Sequence, residues 1–369
     1  MKQNEIINWL KEDNQKRLND LWNYADVVRR QNVKDEVHLR GLVEISNYCI
    51  RHCLYCGLNA GNRKLLRYRM SADEILPCVF QAWRYGYGAV VLQAGEDYAI
   101  DADWMARTVR RIKRETPLAV TLSLGERNEK ELAAWYRAGA DRYLLRFETS
   151  DRKLYNSIHP FLPEKRSDRI SILRTLKQLG YETGSGVMVG VPEQTYHILA
   201  NDIEMFAKLD LDMVGIGPYI PHPDTSLGRR KNMISAATID QVPNTELMTY
   251  KVIALTRIIC PETNIPSTTA LVALNRRHAF QLGLSRGANV IMLNLTPWEY
   301  RALYEIYPAK ACLYERAEQY DVIVKEQIRS LGRKIGAGRG DSVHFTRTRA
   351  ATNKEREPKH ECYACTNAQ

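Results

Sequence analysis

Eight short apolar segments recur along this chain, and a longer amphipathic stretch follows most of them. Most of the segments are apolar at nearly every position, which is typical of parallel strands that are buried on both faces. The alternation of strand and helix patterns predicts a parallel sheet with helical crossovers. Eight such units favour an α/β fold of the (β/α)8 TIM-type barrel class, with an open doubly wound sheet as the alternative. The predicted strands are Leu42–Ser46, Ala89–Gln93, Leu118–Leu122, Arg142–Arg146, Thr183–Val189, Met213–Gly217, Ile265–Ala270 and Asn289–Leu293.

The two ends of the chain depart from this repeating pattern. Residues 1–40 carry a helical apolar stripe, so we predict an N-terminal helical segment before a barrel over residues 41–332. Residues 333–369 form a basic tail that we expect to be flexible. Between Arg333 and Lys359 it holds eight Lys or Arg and three acidic residues, which is half of the net charge of +10.

A basic tail can bind nucleic acid, but no interleaved aromatic residues or recognition-helix pattern accompany it, and a solvated end is the interpretation that we favour. The longest apolar runs are far shorter than the roughly 20 residues that a membrane span needs. The first ten residues are polar and carry no signal-peptide core. We therefore expect a cytoplasmic protein with neither a membrane nor a nucleic-acid partner.

Three of the eight cysteines lie close together, at Cys49, Cys53 and Cys56, in the loop after the first predicted strand. Their C-x3-C-x2-C spacing can supply three thiolates to a 4Fe-4S cluster and leave the fourth iron open. An open iron could chelate the amino and carboxylate groups of a methionine moiety, and reduction of a sulfonium held there would release a carbon radical. A zinc site and three unrelated thiols are the alternatives, although zinc usually takes four closed ligands.

Polar residues follow the other predicted strands at the end where barrels of this class place their chemistry. A cluster in the first loop and polar groups after later strands would therefore face one common cavity. These residues include Gln93, Gly95, Glu96, Thr121, Ser123, Arg146, Glu148, Thr268 and Thr269.

The cysteine motif, with the aromatic Tyr55 before its last cysteine, resembles the radical S-adenosylmethionine superfamily. Strings after later strands resemble its HydE branch, whose members are FeFe-hydrogenase maturases and relatives of biotin synthase and methylornithine synthase. The resemblance covers about residues 36–335. The strings are Gln93–Asp97, Thr121–Glu126, Asp141–Thr149, Gly180–Gly190, Asp212–Thr225, Ile265–Ala270 and Tyr300–Pro308.

The resemblance implies an enzyme that reductively cleaves S-adenosylmethionine to a 5′-deoxyadenosyl radical. It further implies that the radical attacks sulfur in an iron–carbonyl–cyanide complex of cysteine during assembly of the hydrogenase diiron subcluster. The implied partners are that small organometallic substrate, an electron donor such as ferredoxin or flavodoxin, and transient contacts with other hydrogenase maturases. We expect a monomer.

The resemblance also implies roles for single residues. Cys49, Cys53 and Cys56 would bind the cluster. The implied S-adenosylmethionine contacts are Tyr55 (adenine), Gly95 and Glu96 (methionine amino group), Ser123, Glu148 (ribose or amino group) and Arg169 (methionine carboxylate). The implied substrate wall is Arg146, Thr268, Thr269, Tyr304 and Tyr307. Surface ion pairing, strand propensity and core packing are the ordinary explanations for these residue types.

Some relatives in this branch carry a second cluster, and this chain departs from their pattern. Cys312 stands at the first position, but the following C-x2-C occurs only at Cys362 and Cys365, after the basic tail. These three could bind an auxiliary metal or cluster, although closing so long a loop costs entropy, and we favour a free pair. Three other functions stay open: a radical enzyme acting on an amino acid such as lysine, an iron–sulfur carrier without activity, and a nucleic-acid-binding protein with a structural cluster.

Overall fold

Eight parallel strands follow one another in chain order around a nearly closed barrel in the computed structural model, which describes residues 1–162, 167–229, 240–308 and 316–356. All eight predicted strands are present, so the (β/α)8 prediction is confirmed. The strands are β1 Glu36–Ser46, β2 Ala89–Ala94, β3 Ala119–Ser123, β4 Arg142–Leu144, β5 Glu182–Val189, β6 Met213–Pro218, β7 Pro266–Ser267 and β8 Val290–Asn294.

The pairing between β6 and β7 is the weakest part of the barrel wall. The other neighbouring strands form ladders, whereas Met213 and Asn264 form a single isolated bridge between these two. The prediction of a strand over Ile265–Ala270 is wrong at its end, because helix α11 begins at Thr269. The chain therefore leaves the wall early here, and Thr268 becomes the N-cap of that helix.

Helices connect the strands and cover the outside of the barrel, with the largest part of the hydrophobic core between the two layers. Most begin at a Ser, Thr, Asn or Asp whose side chain accepts a backbone N–H of the first turn, as helix N-termini require. The helices between strands are α3 Ala72–Arg84, α4 Ala102–Glu115, α5 Glu129–Arg137, α6 Arg152–Ile158, α7 Arg169–Leu179, α8 Tyr196–Lys208, α9 Ser226–Arg229, α10 Glu246–Ile259, α11 Thr269–Leu274 and α12 Ala279–Leu284.

The N-terminal segment contains the predicted helices, α1 Gln3–Lys11 and α2 Gln15–Val33. They pack on the outside of the barrel against α8 and α10. The boundary expected at residue 40 lies too late, because β1 already begins at Glu36. The side chain of Arg40 is buried and lines the cavity inside the barrel, so this last residue of the predicted helical segment belongs to a strand.

The C-terminal segment differs from the flexible tail expected from residue 333. After α13 Trp298–Arg301 and α14 Ala317–Ser330, the strand β9 Lys334–Ile335 pairs with β1. The chain then crosses the N-terminal end of the barrel, where the carbonyl oxygen of Gly340 accepts hydrogen bonds from Arg40 and Asn264. Buried donors of the barrel thus fix residues 333–342 in place, and α15 Val343–Arg356 follows. The last thirteen positions lie outside the described residues.

None of the described helices is both long enough and apolar enough to cross a bilayer.

Candidate active site

One cavity of about 340 Å³ opens at the carboxyl ends of the strands and reaches into the barrel. All the residues that the sequence analysis assigned to cluster, cofactor and substrate line this cavity, so the barrel brings the predicted site together. They are Cys49, Cys53, Cys56, Tyr55, Gly95, Glu96, Ser123, Glu148, Arg169, Arg146, Thr268, Thr269, Tyr304 and Tyr307. The assignments of Cys312, Cys362 and Cys365 lie outside the described residues.

The cysteine loop is held to the barrel by hydrogen bonds to its backbone. Arg67 donates to the carbonyl oxygens of Asn47, Leu58 and Asn59 at 2.5–2.9 Å, and so ties both ends of the loop together. A backbone bond from Gly57 to Ile306 connects the loop to the segment after α13. These hydrogen bonds within the chain therefore fix the conformation of the cysteine loop.

The cysteines fit a cluster better than a single ion. Burial raises the pKa of the Cys56 thiol to about 12 and that of Cys53 well above its usual value, so both are protonated thiols until a metal takes the thiolate. In the described residues no three His, Cys, Asp or Glu side chains converge on a point that would hold one metal ion. A 4Fe-4S cluster binds each thiolate through a different iron and needs no such convergence.

Gly95 allows the end of β2 to approach the cysteine loop closely. A Cβ atom at this position would lie 2.2 Å from the carbonyl oxygen of Tyr48 and 2.9 Å from the Cβ of Cys49. In addition, the backbone N–H of Glu96 donates to the Sγ of Cys49 at 3.4 Å. The end of β2 thus lies directly against the first cysteine, which requires a glycine.

A buried ion-pair network lies beneath the cysteine loop. Arg51, between the first two cysteines, is 2.8 Å from Glu96 and 2.8 Å from Glu126. Arg169 is 3.0 Å from the other oxygen of Glu126 and also bonds to the ring of His159 at 2.8 Å. These charges compensate one another inside the protein, which is the condition for keeping them buried.

The network fixes the protonation states of its members. Burial by itself would raise the pKa of Glu126, but Arg169, Ser167 and Arg51 hold it below its usual value. Burial and the neighbouring Arg169 lower the pKa of His159 to about 2, so its ring is neutral. The cluster end of the cavity therefore carries fixed charges at neutral pH.

The carboxylate of Glu96 is hydrogen-bonded to groups of the protein, whereas the resemblance implied a contact with the methionine amino group. One oxygen of its carboxylate accepts from Arg51 and Tyr98, and the other accepts the backbone N–H of Glu126 at 3.1 Å. The side chain anchors the cysteine loop to β2 and the following segment. Contact with the methionine amino group stays a prediction.

Glu148 has a strained backbone and an incompletely satisfied carboxylate. Its φ of 63° is left-handed, a conformation that non-glycine residues avoid unless their surroundings impose it. Its Oε2 lies 3.1 Å from Nη2 of Arg146 but has no hydrogen-bond partner within the described residues. An orphaned carboxylate oxygen on the cavity wall fits a ligand that donates hydrogen bonds.

The residues of the predicted substrate wall also line the cavity. Arg146 donates to the carbonyl oxygen of Val187 at 2.6 Å, and its Nε has no partner within the described chain. Thr269 and Tyr307 share a hydrogen bond of 3.0 Å. Gln93 donates to the hydroxyl of Tyr304 at 3.2 Å, and burial raises the pKa of this tyrosine well above its usual value, so the hydroxyl stays neutral.

Sequence reasoning missed three residues of the site. Arg51, inside the cysteine motif, was given no role, and Glu126 was expected only as a polar residue after the third predicted strand, at the end of the string Thr121–Glu126. The available signal was the charge of the two side chains, because Arg51 lies inside the cysteine motif and Glu126 follows a predicted strand. Tyr219, after β6, is buried on the cavity wall, and its hydroxyl has no partner within the described residues. Its place just after a predicted strand, within the string Asp212–Thr225, was the available signal.

Comparisons with known proteins agree with this geometry. The family model of the radical SAM superfamily matches residues 43–206. Over 316 residues the chain is 44% identical to the [FeFe] hydrogenase maturase subunit HydE of Thermotoga maritima, with 86% of each chain covered. It is 28% identical to 3-methylornithine synthase of Methanosarcina acetivorans over 76% of this chain and 75% of that one. A crystal structure of methylornithine synthase has the same fold, with a TM-score of 0.74, 22% identity and coverage of 95% of this chain and 96% of that chain.

Proposed function

Because this chain belongs to the radical SAM superfamily and, within it, to the family of the hydrogenase maturase subunit HydE, we propose that it is the radical enzyme of hydrogenase maturation that acts on an iron–carbonyl–cyanide complex of cysteine. The carrying observation is one shared cavity. It is lined both by the three cysteines, of which Cys53 is buried, and by Arg146 with two threonines, so that a radical formed at the cysteines would be enclosed with a substrate at Arg146.

Cys49, Cys53 and Cys56 would hold three irons of a 4Fe-4S cluster. When bound, the cluster supplies the electron that cleaves S-adenosylmethionine at its sulfonium. The protein's contribution is to keep the loop in place through Arg51 and Arg67 and to surround it with fixed charges rather than mobile water.

S-adenosylmethionine would lie in the part of the cavity between the cysteines and Glu148. The orphaned oxygen of Glu148 would accept a ribose hydroxyl or the amino group, and Tyr55 and Ser123 would line the nucleoside. Arg169 would face the methionine carboxylate, although its Nε and both Nη atoms already contact Glu126, Arg146 and His159. This contact therefore requires Arg169 to share its donors.

The substrate would bind with its cysteine carboxylate on Arg146, whose Nε is available for a second hydrogen bond. Thr268 donates to the carbonyl oxygen of Ile216 at 3.0 Å, so its oxygen can accept a further bond. Tyr304, neutral and buried, would line the cyanide and carbonyl ligands without exchanging a proton.

The proposal includes an electron donor such as ferredoxin or flavodoxin, transient contacts with other hydrogenase maturases, and a monomeric enzyme. Reduced cysteines are typical of reducing compartments, and we place the protein in the cytoplasm. Binding of a second metal by Cys312, Cys362 and Cys365 stays a prediction that the experiment below also tests.

The test is an EPR spectrum of the anaerobically reconstituted, reduced protein with and without S-adenosylmethionine. We expect a 4Fe-4S signal that changes when the cofactor is added and is lost in Cys53→Ala. Cys78→Ala is the matched control, since Cys78 is a buried thiol on α3 away from the cavity. A signal that ignores the cofactor would contradict the mechanism and favour a carrier, and a second signal that survives Cys53→Ala would indicate an auxiliary cluster.

Product analysis separates the maturase from an amino-acid radical enzyme. We expect consumption of the iron–cysteine complex and no rearranged product from lysine. The opposite pattern would contradict the proposed substrate while leaving the radical chemistry intact.

A further inference from the structure

The conformation of Glu148 needs support from outside its own strand. β4 ends at Leu144, and the left-handed φ of Glu148 lies four residues later. On one side, β5 holds its backbone: Glu148 N donates to Gly186 O at 3.0 Å and Met188 N donates to Glu148 O at 3.1 Å. These bonds fix the peptide groups on both sides of the residue but not the direction in which the chain continues.

Asp202, in the middle of α8, holds the chain immediately after Glu148. Its Oδ1 accepts the backbone N–H of Ser150 at 2.5 Å, the hydroxyl of Ser150 at 2.7 Å and the hydroxyl of Thr149 at 3.2 Å. A carboxylate that collects three donors from two successive residues leaves that turn little freedom.

The second oxygen of Asp202 connects the turn to β5. Oδ2 accepts from Nε2 of Gln194 at 3.3 Å, and the same nitrogen donates to the carbonyl oxygen of Met188 at 3.0 Å. Met188 is also the residue whose N–H binds Glu148. Asp202 therefore holds both the residues that follow Glu148 and, through Gln194, the strand that lies beside it.

A contribution to the stability of the fold does not by itself explain why position 202 carries an aspartate. Asp202 is completely buried, and none of the ion pairs among the described residues includes it. A buried carboxylate without a cation is costly even when it is hydrogen-bonded, and a neutral asparagine or a threonine could cap the same turn more cheaply. The turn that it shapes carries the strained residue of the cavity wall.

We propose that Asp202 is a positioning residue for S-adenosylmethionine: it holds the turn at Thr149–Ser150 so that the carboxylate of Glu148 faces the cofactor. The inference rests on the proposed function, because it needs Glu148 to contact the cofactor. Asp202 itself is not among the residues that line the cavity.

The test measures the dissociation constant of S-adenosylmethionine by calorimetry on the reconstituted protein, together with iron content. Glu148→Gln sets the reference. We expect Asp202→Ala to weaken binding by about tenfold or more, because small displacements of a contacting group cost that much. Asp202→Asn keeps an oxygen for Ser150 and should recover most of the affinity, and Ser150→Ala, which removes one hydroxyl, should weaken binding about threefold.

Asp212→Ala is the matched control. Asp212 is also buried and accepts a backbone N–H, from Thr183 at 2.8 Å, but it lies at the opposite end of the barrel. Iron content should be the same in the Asp202 and Asp212 variants, and affinity should fall only in the former.

The outcomes distinguish a failure of the proposed function from a failure of the positioning role of Asp202. If Glu148→Gln binds the cofactor normally, the contact assumed by the proposed function is wrong. If Glu148→Gln weakens binding while Asp202→Ala and Ser150→Ala do not, the positioning role is overturned. Equal losses in Asp202→Ala and Asp212→Ala would also overturn it, because the effect would then be general destabilisation. Should Asp202→Ala not fold, Ser150→Ala gives the decision, because normal cofactor binding in that variant would overturn the positioning role.

Discussion

Replacing Arg51 with methionine tests whether the ion-pair network holds the cysteine loop. The guanidinium is almost completely buried and lies 2.8 Å from both Glu96 and Glu126. Methionine is unbranched and apolar, so it fills much of the same space and removes the charge. Two buried carboxylates would then face each other without the cation between them.

The size of the effect follows from the burial of all three groups. Breaking a buried ion pair from one side costs about 3–5 kcal/mol, because the remaining charge is left uncompensated. We expect the free energy of unfolding of the metal-free protein to fall by about that amount at pH 7.5, measured by urea denaturation with circular dichroism. Since Arg51 lies between two cluster cysteines, iron bound after reconstitution should fall as well.

Arg142→Met gives the control at the other end of the barrel. Arg142 pairs with Glu182, both side chains are fully buried, and neither contacts the cysteine loop. This variant should lose comparable stability and still bind iron normally. Equal iron loss in the two variants would refute the anchoring role, and an unchanged stability in Arg51→Met would refute the energetic reasoning.

Three further changes give independent checks. Gly95→Ala places a Cβ 2.2 Å from the carbonyl oxygen of Tyr48, so iron analysis should show poor cluster incorporation. Gly88→Ala places one 1.5 Å from the carbonyl oxygen of Gly338, so hydrogen exchange should show faster opening of the segment that closes the barrel. Burial raises the pKa of Asp202 from 3.8 to about 7, so folding takes up a proton between these values and stability should fall as pH rises from about 4 to 7. Urea denaturation repeated across that pH range measures this change. Asp202→Asn should lack the pH-dependent part of the free energy of unfolding, which is roughly 4 kcal/mol at most.

The sequence pattern was sufficient for the barrel and for many of the residues that line its cavity. Strands buried on both faces, such as β5, produce apolar runs that are visible without any tertiary information. The carboxyl ends of parallel strands converge by geometry, which is why residues as distant in sequence as Cys49 and Thr268 line the same space.

Features that depend on a specific partner could not be predicted from the pattern. The burial of Arg40 could not be predicted, because nothing in the sequence indicates that Gly340 would return 300 residues later to accept its hydrogen bond. The expectation of a flexible basic tail failed at residues 333–342 for the same reason. The hydrogen bond between Arg51 and Glu96 could not be predicted either, because it depends on the path of a loop that the whole barrel determines.

The two ends of the barrel are closed by different means, and this difference explains how the cavity can be both sheltered and accessible. At the N-terminal end, Gly340 and its neighbours bond directly to Arg40 and Asn264, two residues of the cavity floor. At the carboxyl end, the cysteine loop closes part of the opening and is held by Arg51 and Arg67. We therefore expect substrate and cofactor to enter at the carboxyl end, beside the cysteine loop, and to exclude water from the radical once they are bound.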